Sequence, residues 1–115
     1  MRIIDSRNQI HLDELQEMAT AMFGDMVKAV VDVGQDIIVV DAELHADEEA
    51  LLIEMGSDQY NLWGINLYPE LEGEDFVEFD SMINLRPSRG NRSRGVEDAA
   101  IRVRIRNIVN RLVIR

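Results

Sequence analysis

Cysteine is absent from the chain, which excludes a disulfide framework and a thiolate nucleophile. Long apolar runs are missing too: the longest, Ile37–Val40 and Ala50–Ile53, hold four residues each, far fewer than the roughly 20 needed to cross a bilayer. The opening residues, Met1-Arg2-Ile3-Ile4-Asp5-Ser6-Arg7, lack the continuous apolar stretch of a secretory signal, so a cytoplasmic protein with no membrane partner is expected. Catalytic and cofactor signatures are scarce. There is no Gly-x-Ser-x-Gly, no His-Glu-x-x-His, no Walker loop and no Rossmann glycine fingerprint, and neither His11 nor His45 has a nucleophile beside it. No cofactor is implied, and the residue types lean away from an enzyme.

What is present is an ordinary foldable composition. Of 115 residues, 46% are hydrophobic and 30% charged, which excludes wholesale disorder and fits one domain, 1–115, with a single modest core. Charge is unevenly spread. Residues 1–85 set Arg2, Arg7 and Lys28 against twenty acids, whereas residues 86–115 set nine arginines against Glu97 and Asp98; the whole carries a net charge of −10. That balance repels nucleic acid at long range, so a polynucleotide partner is not expected, although a basic segment still binds a phosphate locally.

Residues 12–23 place Leu12, Leu15, Met18, Ala19, Met22 and Phe23 at i, i+3, i+4 spacing, an amphipathic helix stopped by Gly24. From Met26 the pattern turns β-branched, and strands Met26–Val33 and Asp36–Leu44 flank a hairpin pair, Gly34-Gln35. The stretch His45–Gly56 admits a helix capped by Asp47, but a second hairpin near Asp47-Glu48 delivers Ala50–Met55 as a third strand without a long crossover. Asn61–Tyr68 and Phe76–Leu85 read as the fourth and fifth strands, joined by an acidic loop. After the polar loop Arg86–Gly95, the residues Ile101, Ile105, Ile108, Val109 and Leu112 share one helical face. The expectation is an α+β domain: a five-stranded, mainly antiparallel meander flanked by an N-terminal and a C-terminal helix, both on one face of the sheet.

Three places gather candidate chemistry. Strand alternation sends Asn66, Tyr68, Asp80, Asn84 and Arg86 to the sheet face opposite the helices, either a polar binding surface or a plain solvated face. Alternation also puts Asp41, Glu43, His45 and Asp47 together, and imidazole with carboxylate is an acceptable donor set for a divalent cation. With only two histidines in the chain, no metal site is assigned, and His45 and Asp47 are weak candidates. The third place is the loop Ser88, Arg89, Gly90, Asn91, Arg92, Ser93, Arg94 and Gly95, immediately before a predicted helix whose first N–H groups are unpaired. Arginine supplies forked donors, glycine lets amides approach an anion, and serine or asparagine adds neutral hydrogen bonds. Two readings of this loop stand: a site for a phosphate-bearing ligand or partner, or a strap whose arginines pair with the acidic sheet. The alternatives to anion binding are a metal-assisted hydrolase using His45, Asp47 and Asp80, and an interaction module that pairs as a homodimer.

The segments Glu43-Leu44-His45-Ala46-Asp47-Glu48-Glu49-Ala50-Leu51-Leu52, Leu62-Trp63-Gly64-Ile65-Asn66-Leu67-Tyr68-Pro69 and Glu78-Phe79-Asp80-Ser81-Met82-Ile83-Asn84-Leu85-Arg86-Pro87, with Gly90-Asn91-Arg92-Ser93-Arg94-Gly95-Val96 after them, resemble a family of small prokaryotic proteins of unknown function. The resemblance spans nearly the whole chain. It implies a stand-alone cytoplasmic protein and transfers no catalytic or binding residue.

Overall fold

The computed structural model describes residues 1–115 and shows an antiparallel sheet with helices on both faces. β1 (Arg2–Ile4) and β2 (Ile10–His11) lead into α1 (Leu12–Ala21), and β3 (Val27–Asp32) and β4 (Ile37–Val40) form a hairpin. Next, α2 (His45–Glu54) precedes β5 (Leu62–Leu67) and β6 (Val77–Glu78), and α3 (Ala99–Leu112) runs into β7 (Val113–Ile114). The main sheet has the order β1-β4-β3-β5-β6 with every pair antiparallel, while β2 and β7 make a separate parallel pair. The α+β class expected from patterning is the one observed. The meander is not: α2 carries the chain over β3, so β5 pairs with β3 on the side away from β4.

Alternation along the strands sorts the core into two faces. Val27, Ala29 and Val31 of β3, Ile38 and Val40 of β4, and Trp63, Ile65 and Leu67 of β5 meet Leu15 and Ala19 of α1 and the Ile105, Ile108, Val109 and Leu112 stripe of α3 in a cluster of 21 buried residues. Both terminal helices therefore cover the same face, as their stripes predict, and Trp63 is in the core at 7% exposure. On the opposite face, Val30, Val39 and Leu62 pack on Leu52 of α2 in a cluster of four.

Local chemistry fixes the ends. The His11 amide donates to the Glu14 carboxylate at 2.9 Å to open α1, and Gly24, at φ +96°, closes it with an N–H donated to the Ala19 carbonyl at 2.6 Å. The β3–β4 turn is organised by Asp32 rather than by glycine freedom. Its Oδ1 accepts from the Gly34 and Gln35 amides, its Oδ2 accepts from the Ser57 hydroxyl, and the left-handed residue is Asp36 at φ +58°.

Three expectations are corrected. Ala50–Met55 is not a strand: His45–Glu54 is helical, because Ala46, Glu48, Glu49, Ala50, Leu51 and Leu52 are strong helix formers and the exposed Asp47 suits the positive end of the dipole. A four-residue apolar run cannot by itself tell strand from helix. The shared face of Asp41, Glu43, His45 and Asp47 is not formed either, because β4 ends at Val40, Asp41 takes a left-handed φ of +72° and His45 and Asp47 already belong to α2. Phe76–Leu85 pairs only over Val77–Glu78, since Ser81 turns the chain into a short 3₁₀ turn, Met82–Asn84, by accepting from the Ile83 amide. Finally, the second face of the sheet is not solvated, because α2 lies on most of it. The short strands β1, β2 and β7 carry too few residues for alternation to show.

Candidate functional site

The break after β6 creates a local structure that explains two of the candidate residues. Asn84 is fully buried and stands in for a missing strand: its Oδ1 accepts from the Gly64 amide at 2.8 Å and its Nδ2 donates to the Gly64 carbonyl and the Arg94 carbonyl, each at 2.9 Å. Gly64 is required there, because a Cβ would run into the Ser81 side chain. Asn91 staples the following loop in the same manner. Its Nδ2 donates to the carbonyls of Asn84, Ser93 and Gly95, and its Oδ1 accepts from the Glu97 amide at 2.9 Å. These two side chains are spent on backbone.

The amides expected to cradle an anion are already occupied. The Glu97 carboxylate accepts from the Arg92 amide and, at 3.0 Å, from the Ser93 amide, while Asp98 caps α3 by accepting from the Ala100 amide at 2.9 Å. Ser88, Arg92 and Ser93 are exposed, and Ser93 Oγ accepts from the Gly95 amide. Several arginines pair with acids of the remainder: Arg94 with Asp80 at 2.7 Å, Arg86 with Glu49 at 3.4 Å, and Arg104 and Arg111 with Asp36 at 3.1 and 2.8 Å.

The remaining candidate residues divide between two cavities. The first, of about 480 Å³, opens where α2 leaves the end of the sheet uncovered and is lined by Lys28, His45, Asn66, Tyr68, Asp80 and Arg94 among others. Here His45 Nε2 lies 2.8 Å from the Ile65 carbonyl. A carbonyl only accepts, so Nε2 carries the proton and Nδ1 is the acceptor. Burial pushes the imidazole below its ordinary value, against the pull of that carbonyl, and keeps it neutral. Tyr68 donates its hydroxyl to Glu78 at 3.0 Å; burial, then that contact, raises its phenol.

The second cavity, of about 490 Å³, lies between residues 86–91 and the start of α3 and is lined by Tyr60, Trp63, Arg86, Arg89, Glu97 and Asp98 among others. The Arg86 guanidinium donates to the Leu62 carbonyl at 2.7 Å and sits 5.0 Å from the Trp63 ring centroid. Burial pushes its pKa down, with Glu49 opposing. Arg89 lies over the Tyr60 ring and has no carboxylate partner. The Trp63 indole N–H is buried and has no acceptor. Tyr60 and Trp63 were not among the sequence candidates for this site, since they precede the loop by more than twenty residues and nothing local links them to it.

No three His, Asp or Glu side chains converge on a point suited to a cation. His45 and Asp80 share the first cavity, but Asp47 points away from it at the exposed start of α2. The hydrolase constellation of His45, Asp47 and Asp80 is therefore not assembled.

Fold and site together define a small α+β domain with two polar cavities, one beside the start of α2 and one between residues 86–91 and the start of α3. The chain belongs to the family described as Protein of unknown function (DUF5674), which it matches over residues 2–112. No curated protein and no solved structure matches it. No helix is long and apolar enough to cross a membrane.

Proposed function

We propose that the protein binds a small organic anion, a carboxylate or a phosphate, in the cavity between residues 86–91 and the start of α3. The observation that carries this reading is the Trp63 indole N–H: it has no acceptor, and its side chain lines the same cavity as Arg86 and Arg89. A buried donor without a partner costs about 1–3 kcal/mol, and an acceptor with negative charge beside two guanidinium groups recovers that cost. Tyr60 and Trp63 add flat apolar faces for the body of the ligand. The site thus rests on side chains at the first half of the loop, and not on the amides near Gly95 that Glu97 holds. Glu97 and Asp98 form a negative rim, and the net charge of −10 repels anions at long range, so affinity is modest and comes from short-range donors.

The test is a titration with inorganic phosphate and, separately, benzoate, following the Trp63 indole N–H resonance. A saturable shift in the millimolar range, weakened about fivefold or more by Arg89→Ala, supports the site. An indole resonance that stays still at tens of millimolar of both anions overturns it. Arg89 is the residue to change because its loss orphans no carboxylate, whereas Arg86→Ala leaves Glu49 and the Leu62 carbonyl unpaired.

A further inference from the structure

The cavity beside His45 is built on a row of polar side chains set by strand register. Lys28 stands opposite Asn66, and Asn66 opposite Glu78, so an ammonium, an amide and a carboxylate occupy adjacent strands on one face. Neighbouring strands are about 4.8 Å apart, which puts the Lys28 and Glu78 backbones about 10 Å from each other with Asn66 between. The cavity above the row is bordered by Leu44 and His45 at the start of α2 and by Met82.

Several groups there have unmet capacity. Lys28 pairs with no carboxylate, and its ammonium rests 5.1 Å from the Phe23 ring centroid. No side chain caps α2; the Asp47 amide donates to the Leu44 carbonyl at 3.2 Å, which leaves the His45 and Ala46 amides without an acceptor in the helix. Asn66 is 5% exposed; its Nδ2 donates to Glu78 at 2.9 Å and to the Asp80 carbonyl at 3.3 Å, yet its Oδ1 has no partner. Glu78 accepts from Asn66 and Tyr68 through Oε1 alone, and His45 Nδ1 is an open acceptor. The rim is apolar, with Leu44 and Met82 at 55% and 62% exposure.

We propose that this cleft binds a zwitterion with an apolar side chain, an α-amino acid of the leucine or methionine type. Its carboxylate meets Lys28 and the first N–H groups of α2, its ammonium meets Glu78 and His45 Nδ1, and its side chain lies against Leu44 and Met82. The two charged groups of such a ligand are about 3 Å apart, and a hydrogen bond of about 2.8 Å on either side gives a span of about 9 Å, close to two strand spacings. Asp80 and Arg94 neutralise each other at the cavity wall, so Lys28 and Glu78 leave a balanced pair of charges that favours neither a bare anion nor a bare cation. The proposal is independent of the anion site beside Trp63, and the two differ in ligand class.

The experiment compares L-leucine and L-methionine with leucine amide, which lacks the carboxylate, and N-acetylleucine, which lacks the ammonium, on the intact wild-type chain. Binding is followed by the amide resonances of Lys28, His45 and Asn66 and by calorimetry. A saturable shift with the free amino acids and a loss of about tenfold or more with each derivative supports the proposal. Lys28→Gln is expected to weaken leucine about fivefold or more while barely changing leucine amide, and Arg89→Ala is expected to leave leucine binding unchanged. No shift at tens of millimolar leucine, equal binding of both derivatives, or a shift confined to the Trp63 indole overturns it. Because the ligand series needs no mutation, the result stands even if Lys28→Gln fails to fold.

Discussion

The two faces of the sheet are made of different materials. The face under α1 and α3 is a continuous apolar cluster of 21 buried residues, whereas the face under α2 has a cluster of four, surrounded by the buried polar side chains Asp32, Glu48, Asn66, Ser81 and Asn84. The first face supplies folding energy through area removed from water. The second trades area for hydrogen-bonding groups, and the cavity beside His45 opens on it at the start of α2, whereas the cavity beside Trp63 lies against the start of α3. A 115-residue chain has one apolar core to rely on, and this one concentrates it on a single side, which frees the other for polar chemistry.

The sharpest way to break that comparison is to delete one side chain from each face. Leu112→Ala, at a fully buried position of α3, is expected to cost about 3–4 kcal/mol in urea denaturation through lost transfer energy and the cavity left behind. Asn84→Ala is expected to cost about 2–3 kcal/mol by a different mechanism, since it orphans the Gly64 amide and the Gly64 and Arg94 carbonyls. If Asn84→Ala costs less than about 1 kcal/mol, the polar face is solvated in solution and the contrast fails.

Much of the apolar face was legible beforehand. The α1 and α3 stripes and the Trp63, Ile65, Leu67 alternation are periodic over enough residues for pattern to decide the element and its inward side. The α2 face was not, because it depends on a crossover that no local signal encodes. Once His45–Glu54 is a helix, residues expected on an open strand face are covered or redirected: Asn84 and Asn91 turn to backbone, and Glu97 takes the loop amides. Of the candidate binding residues, Asn66, Tyr68, Asp80 and Arg94 meet in one cavity and Arg86, Arg89, Gly90 and Asn91 in the other. The split arises because the chain turns between Asp80 and Arg94, which sequence spacing does not reveal.

A smaller effect distinguishes the faces by pH. Glu48 is fully buried on the sheet side of α2, neither of its oxygens has a well-formed hydrogen bond, and burial pushes its carboxyl up to about 9. The folded chain therefore holds a proton that the unfolded chain releases above about pH 4.5, so Glu48 costs stability as pH rises from there until its folded form ionises near 9. His45 acts oppositely: its lowered value means that the folded state resists a proton the unfolded state takes up below about pH 6.5. Between pH 7 and 8 Glu48 dominates, with a slope of at most about 1.4 kcal/mol per pH unit, and His45 opposes it by the small and fading protonation of its unfolded form. Glu48→Gln is expected to flatten the decline in urea midpoint across that interval, while Leu112→Ala lowers the midpoint and keeps the slope. An unchanged slope in Glu48→Gln would mean that the carboxyl reaches water.

The smallest expected effect concerns the arginines that join the basic C-terminal segment to the acidic remainder. Arg104 and Arg111 of α3 both reach Asp36 in the β3–β4 turn, with side chains between 38% and 54% exposed. Exposed pairs of this kind contribute little, because solvent screens the attraction and two long side chains lose freedom to hold it. Asp36→Asn isolates the charge, since asparagine tolerates the φ of +58° at this position at least as well as aspartate and keeps an acceptor oxygen. The expected loss is below about 0.5 kcal/mol at low salt and falls further near 1 M salt, where the screening length is about 3 Å. A loss above about 1.5 kcal/mol that persists at high salt would show that the turn is held by the ion pairs and not by Asp32, and the apolar face would then depend on charge as much as the α2 face does on hydrogen bonds.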